Sequence, residues 1–416
     1  MLPKGLGVLR NPAYRRLWLA QSVSLLGDWL TLIALAVVIS GRSRGSGLAV
    51  SGLLLVQLVP TAVVGHLSGV LADRFDRRRL LVMADAMRSL IVLLLIPAVA
   101  SARLWPVFAL ATLHFSVATV FEPARAALVP RLVEAGALVA ATTIATVTWS
   151  VMTAVGGAAG GALLALVGVP GAFVLDALAF VASGLLIASV RVPPAPALRA
   201  AAAEEHDPGF REGLRYLAAH KTTAAVLLVK AIIGVALVDT FIVLYATRVF
   251  PVGNGGAASL GLLWACFGVG ALLGPTLLNL ANDGTVSRMR RLIAVSSAAV
   301  SLGVLLLGIA PTLGLAGSAI VLRGMGGATN WTYSTVILQK VVPDRLLGRL
   351  IAVDLAALTL TASLFALLWG WLIDVIGLRT TVLTVALASL LPLLAWTLAL
   401  PWMEREPASR VARTPG

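Results

Sequence analysis

The chain is short of charge, histidine, cysteine and aromatic residues. Only 12% of its 416 residues are charged and 59% are hydrophobic, with a mean hydropathy of +0.97. A soluble protein of this length needs far more polar surface. The one cysteine, Cys266, lies inside an apolar run, which excludes a disulfide or a cysteine metal site within one chain. The four histidines show no metal-ligand spacing, and His66 and His114 read as packing residues. Clustered nucleophiles are missing too, which argues against a membrane-embedded enzyme. No G-x-x-x-x-G-K-[ST] loop is present, so an ATP-driven permease would need a separate ATPase chain. No cofactor and no metal is expected.

What the chain has instead is apolar runs of about 20 residues, each long enough to cross a bilayer. Twelve candidate spans run roughly over 15–40, 48–72, 80–101, 104–129, 138–167, 171–191, 223–249, 257–280, 290–310, 312–341, 348–374 and 378–402. The roughly 10-residue alternation of a barrel is absent. The expected fold is an all-α polytopic membrane protein with 12 transmembrane helices. The basic N-terminus leads into an apolar run with no convincing small-residue cleavage site, so it reads as a first span that stays.

The formal net charge is +14. A basic face on a soluble domain would suggest nucleic acid, but here the charges sit in short loops, so no nucleic-acid partner is expected. Of the 32 Lys and Arg residues, only Arg42, Arg44, Arg103, Arg248 and Arg379 fall on one side; Arg88, Lys230 and Arg323 lie within spans, and the other 24 share the opposite side. The basic side is cytoplasmic by the positive-inside rule, which places both termini there.

The longest polar stretch, Val192 to Thr222, lies near the midpoint. Residues 1–192 and 223–404 then form two six-helix bundles, with a cytoplasmic linker over 193–222 and a tail over 405–416. Leu214 and Leu217 suggest a short amphipathic helix in that linker, lying on the membrane surface; a plain linker is the alternative. The halves look distantly alike: Pro130 and Pro343 end spans four and ten in similar settings. Pseudo-symmetric halves suit a transporter built from repeats.

Six of the eleven residues from Gly69 to Arg79 are charged (Asp73, Arg74, Asp76, Arg77, Arg78 and Arg79). A charged knot between two spans marks a tight turn at a membrane face. It resembles the G-x-L-A-D-R-x-x-R-R loop of the major facilitator superfamily of secondary transporters. The resemblance implies a gating role for Gly69, Asp73, Arg74, Arg77 and Arg78, bracing the outward-facing state against span eleven. Phe121-Glu122-Pro123-Ala124-Arg125-Ala126-Ala127-Leu128-Val129-Pro130 resembles a stretch of a bacterial efflux branch that includes macrolide and enterobactin exporters. Ser24 to Leu30 and Gly348 to Ala352 resemble the same branch. Gly156-Gly157-Ala158-Ala159-Gly160-Gly161 resembles the G-P-x-x-G-G antiporter motif, with Gly157 where the motif has proline. Gly156, Gly160 and Gly161 also suit plain close packing of helices. Gly268, Gly270 and Gly274 look like its counterpart in the second half.

A charge at the bilayer centre costs about 3 kcal/mol or more, so each one needs a partner or a task. Asp28 lies near mid-membrane, as a proton-coupling carboxylate or a permanent ion pair. Asp239 has similar depth in span seven. Arg323 in span ten suits pairing with Asp239 or holding an anionic substrate; Lys230 and Asp354 sit nearer the cytoplasm. Trp29, Tyr245 and Trp331 lie within spans, where they pack or stack on a bulky ligand. Trp18, Trp105 and Trp402 read as interface anchors. Glu122 and Arg125 share a helix face as a cytoplasmic gate pair, and Asp85 and Arg88 repeat that spacing as a structural pair. The expected function is proton-coupled efflux, by antiport and alternating access, of amphipathic small molecules such as drugs or siderophores. The expected partners are that substrate, protons and the lipid bilayer, with the monomer as the functional unit. An importer or a lipid or metabolite transporter would use the same scaffold.

Overall fold

A computed structural model describes residues 4–192 and 210–405; for 4–6, 62, 66–74, 135, 139, 210, 211, 214 and 344 only the backbone is described. The surroundings of Gly69, the side chains of Asp73 and Arg74, the linker over 193–209 and the tail over 406–416 therefore lie outside what is described. The described elements are helical, with no strand among them.

In order they are α1 (Pro12–Arg42), α2 (Gly47–Arg74), α3 (Arg77–Ala100), α4 (Trp105–Leu132), α5 (Leu138–Ala188), α6 (Phe210–Ala219), α7 (Lys221–Val235), α8 (Asp239–Leu244), α9 (Ala257–Asn279), α10 (Val286–Ile309), α11 (Leu313–Val341), α12 (Asp344–Ile376) and α13 (Leu378–Arg405). Ten helices among the described residues are long and apolar enough to cross a membrane. One of them, within α5, breaks at Gly168, whose φ of 70° suits glycine, and so supplies two crossings. Pro170 restarts the helix after that turn. α11 has the length of a crossing at 29 residues and buries Arg323 and Asn330 along it.

Span seven is not continuous. α7 ends at Val235, α8 begins at Asp239, and a π-helical turn follows over Tyr245–Val249. No glycine or proline stands at 236–238. The break is held from outside: Trp369 Nε1 donates to the Val235 carbonyl at 2.7 Å and Arg323 Nη2 to the Ala236 carbonyl at 3.0 Å. Both carbonyls thus gain partners that an unbroken helix would supply itself.

The chain forms two compact units. One comprises Met1–Pro196 and Asp239–Gly268, the other Ala197–Val238 and Val269–Gly416. In the first, Tyr14, Leu17, Leu81, Phe121 and Leu128 form a core between α1, α3, α4 and α5. Polar ties fix the same end: Tyr14 donates to the Ala141 carbonyl at 3.0 Å and Trp18 to Thr148 at 2.8 Å. In the second, Val229, Ile293, Tyr333, Ile337, Leu350 and Trp396 are packed together. α6 docks by Gly213 onto Leu350 and Arg349 of α12, with Tyr216 reaching the Val341 carbonyl. Leu90, Leu94, Leu178, Leu185, Leu391 and Leu398 point outward and exposed. Such an apolar exterior suits lipid and not water.

Candidate functional site

Helical spacing brings one polar stripe from each of several helices to a common place in the first unit. On α1, Ser24, Asp28 and Thr31 share a face; on α3, Asp85 and Arg88 do; after the Gly168 turn, Asp176, Phe180 and Ser183 do. His114 comes from α4.

Arg88 is the hub. Its Nη2 pairs with Asp28, its Nη1 donates to Ser24 Oγ at 3.1 Å, and the same Nη1 lies 3.8 Å from Asp85 Oδ1. The guanidinium carbon sits 4.0 Å from the centre of the Phe180 ring, a cation–π platform. His114 Nε2 stands 3.4 Å from Asp28 Oδ1. Asp176 accepts a hydrogen bond from Thr31 through Oδ2, while its Oδ1 accepts none. The Ser183 hydroxyl stands beside Asp85 without closing a well-formed hydrogen bond to either oxygen. Gly27 makes room for this group, since a Cβ there would collide with the Asp176 carboxyl.

Three carboxyl groups thus face one guanidinium and one imidazole. Burial makes any imbalance of charge costly, so the set responds as a whole to each proton it gains or loses. Asp28 keeps 29% of its side chain accessible, against 2% for Arg88 and 0% for Asp85 and His114. It is the most accessible group of the cluster.

A second buried pair lies in the other unit. Lys230 Nζ binds Asp354 Oδ2 at 2.5 Å and stands 4.7 Å from the centre of the Trp331 ring. Both charges are buried while Trp331 is 43% exposed. Asp239 lies elsewhere, at a small open pocket in the first unit that Gln57, Thr240 and Trp264 also line. Tyr245 is wholly buried beside Phe250, their ring centres 6.2 Å apart.

Residues 4–415 match the family described as transmembrane secretion effector. The chain belongs to that family. It is a membrane transporter of the major facilitator type and not an enzyme. Two curated relatives, both MFS-type transporters of Bacillus subtilis (strain 168), agree. YfiS is 29% identical over 39% of this chain and 38% of its own length; YkuC is 24% identical over 53% of each. The transporter therefore spans about half or less of the curated relatives it matches. Among solved structures, the nucleoside transporter NupG superposes with a TM-score of 0.72 at 12% identity, covering 95% of this chain and 100% of that one. A bacterial homologue of the human lysosomal transporter Spinster, inward-facing and unoccupied, gives 0.70 at 14% identity, covering 96% and 99%. At those identities the likeness establishes the fold: two pseudo-symmetric six-helix bundles.

The remaining expected residues fall in two places. In the charged loop of this transporter, Asp76 caps α3 by accepting from the Arg79 amide at 2.9 Å. Arg77 donates to the Ala127 carbonyl at 2.9 Å and Arg78 to the Ala188 carbonyl. Glu122 and Arg125 form a bidentate pair with contacts of 2.6 and 3.0 Å. The glycines of α5 form a close-packed seam: Gly156 and Gly160 lie against Trp29 of α1, and Gly161 lies against Ala257 and Gly261 of α9. Trp29 meets Trp264 edge-on at 5.1 Å between ring centres. Of the second-half glycines, Gly268 packs on Ala154 of α5, while Gly270 and Gly274 pack on Val321 and Met325 of α11.

Sequence reasoning expected Asp28, set His114 aside as packing and passed over Asp176. The signal for Asp176 was the same one that marked Asp28: a lone acid in an apolar run. Asp85, expected as a structural partner of Arg88, shares that guanidinium with Asp28. Arg323 reaches a main-chain carbonyl at the α7 break.

Proposed function

We propose that this transporter is a proton-coupled exporter of amphipathic small molecules such as drugs or siderophores, working by antiport and alternating access. The observation that carries the reading is the buried set around Asp28, with one accessible carboxylate tied to a guanidinium, an imidazole and two sealed carboxyls. A proton and a cationic or polar group of the substrate compete for that accessible carboxylate. Each shifts the balance of facing states by its differential binding. The family description, a secretion effector, supports outward transport.

The substrate cavity of this reading includes Asp28, Asp239, Arg323, Trp29 and Trp331, with Tyr245 acting from behind as packing. The lining beside Asp239 and Trp264 is apolar with three polar groups, Gln57, Asp239 and Thr240, the mix an amphipathic molecule would meet if the small pocket widened in the cycle. Gly69, Asp73, Arg74, Arg77 and Arg78 form the gating loop, Glu122 and Arg125 the cytoplasmic gate pair, and Gly156, Gly160 and Gly161 the helix-packing seam. Residues 1–192 and 223–404 act as the two halves, joined by the linker over 193–222. The protein works as a monomer in the bacterial cytoplasmic membrane with both termini inside. The branch of macrolide and enterobactin exporters is the proposed kinship.

The test measures accumulation of macrolides, siderophores and dyes in cells with and without the protein, then transport in vesicles under an imposed pH gradient. Reduced accumulation is expected, along with gradient-driven transport that Asp28→Asn abolishes. Protein-dependent uptake would overturn the export direction. Gradient-driven transport retained by Asp28→Asn would remove Asp28 as the coupling group.

A further inference from the structure

The hub of the cluster has a second seat. Arg88 is engaged with Asp28 and Ser24, yet its Nη1 stands 3.8 Å from Asp85, within ion-pair reach but about 0.6 Å beyond hydrogen-bond range. Asp85 is fully buried, and the Ser183 hydroxyl beside it closes no well-formed hydrogen bond to either oxygen. Arg88 Nε is likewise unengaged. The two residues are one turn apart on α3, so side-chain rotation alone closes the gap. The Phe180 ring beneath the guanidinium keeps its attraction as the cation slides across the face.

We infer that Arg88 exchanges carboxylate partners, leaving Asp28 for Asp85, and that a proton moves in the opposite sense. With Arg88 on Asp28, Asp28 is the charged partner and Asp85 is neutral by holding a proton. With Arg88 on Asp85, the O–H bond of Asp85 has broken, Asp85 is the charged partner, and Asp28 has formed an O–H bond. Arg88 stays a cation throughout, so the pair of carboxyls carries one negative charge in both states. The groups facing Arg88 are Asp28 and Ser24 from α1, His114 and Phe121 from α4, and Asp176, Phe180 and Ser183 from α5. His114 lies on the Asp28 side of the set, within 3.4 Å of its carboxylate. Asp28 is thereby the port, open on one side, and Asp85 the sealed store. The exchange rests on the coupling reading only for its use in transport; the geometry stands without it.

Infrared spectroscopy of the purified full chain, titrated from mildly acidic to neutral pH, tests this without any substrate. Asp85→Asn should remove one protonated-carboxyl C=O band, which identifies Asp85. Asp28→Asn should remove the same band, because Arg88 moves to Asp85 and leaves it ionised. Asp28→Ser serves the same purpose if the Asn variant does not fold. A band kept in the Asp28 variant means a fixed pair and overturns the exchange, as does the absence of any Asp85 band in the parent. Vesicle transport separates the two claims. Band loss without gradient-driven transport leaves the exchange standing and removes the coupling reading. Gradient-driven transport with an unmoved band does the reverse.

Discussion

The seam between α5 and α9 gives the sharpest prediction on packing. A Cβ added at Gly161 would fall 2.5 Å from the Ala257 carbonyl oxygen and 2.7 Å from the Gly261 Cα. These are backbone atoms of a helix and cannot rotate away. An ordinary contact between such atoms needs roughly 3.5–4.0 Å, so the helices must part by about 1 Å. A gap of that size forfeits about a quarter to a half of each neighbouring dispersion contact, including those of Gly157 with Trp264 and Gly268 with Ala154. The expected cost of Gly161→Ala is about 1–3 kcal/mol, the usual scale of overpacking. Gly261→Ala presses on the same interface from the other side, its Cβ falling 2.8 Å from the Gly161 Cα. Once one methyl has parted the helices, the second meets less resistance. The double variant should therefore cost less than the two singles together, by about 0.5 kcal/mol or more. Gly348→Ala is the control, because nothing lies within 4 Å of a Cβ there; it should be neutral or stabilising by up to about 1 kcal/mol. Unfolding midpoints of the four variants in detergent decide the matter. The reasoning fails if Gly161→Ala behaves like Gly348→Ala, or if the two costs simply add.

Lys230→Met should destabilise the protein by about 3–5 kcal/mol, since it strands the buried Asp354; pairing it with Asp354→Leu should recover much of that loss in thermal unfolding. Arg323→Met frees the buried carbonyl of Ala236, at a cost of about 1–3 kcal/mol, and faster hydrogen exchange should be confined to the residues around 236–239. Trp369→Phe does the same at Val235. Asp283, in the exposed turn before α10, is held below the usual carboxylate range chiefly by the Thr285 hydroxyl and amide. Its contribution is present above the ordinary carboxylate value of about 4 and is lost as pH falls through its depressed value in the folded state. Thr285→Val should move the Asp283 titration, followed by NMR, back up towards that ordinary value.

The fold was legible because each crossing is written locally. Apolar length, the basic loops and Gly168 with Pro170 each act within a few residues of where they stand. The break in span seven was not, because Val235-Ala236-Leu237-Val238 contains no helix breaker. Gly234 just before it is one of many glycines within spans, and the groups that hold the freed carbonyls, the Nε1–H of Trp369 and the guanidinium of Arg323, come from distant helices. Tyr245 shows the opposite failure: an aromatic within a span looks the same in sequence whether it faces a ligand or a core, and only packing distinguishes them. The site was half legible on similar grounds. Depth and isolation marked Asp28, but which helices meet is not written in any one of them.

That meeting also changes what kind of site this is. An isolated mid-membrane acid would titrate alone, and its proton would be its own. Asp28 shares one guanidinium with Asp85, touches His114, and stands beside Asp176 across the gap that Gly27 leaves. In such a set the proton belongs to the group, and the positions of Arg88 and the proton are tied together. Replacing any one carboxyl then redistributes charge among the rest. Loss of coupling in Asp28→Asn is consequently compatible with a proton that resides, for part of the cycle, on Asp85. Reading the site from single substitutions assigns the function to whichever residue is removed. Infrared bands that follow each carboxyl in the presence of the others avoid that error, because they record where the charge went.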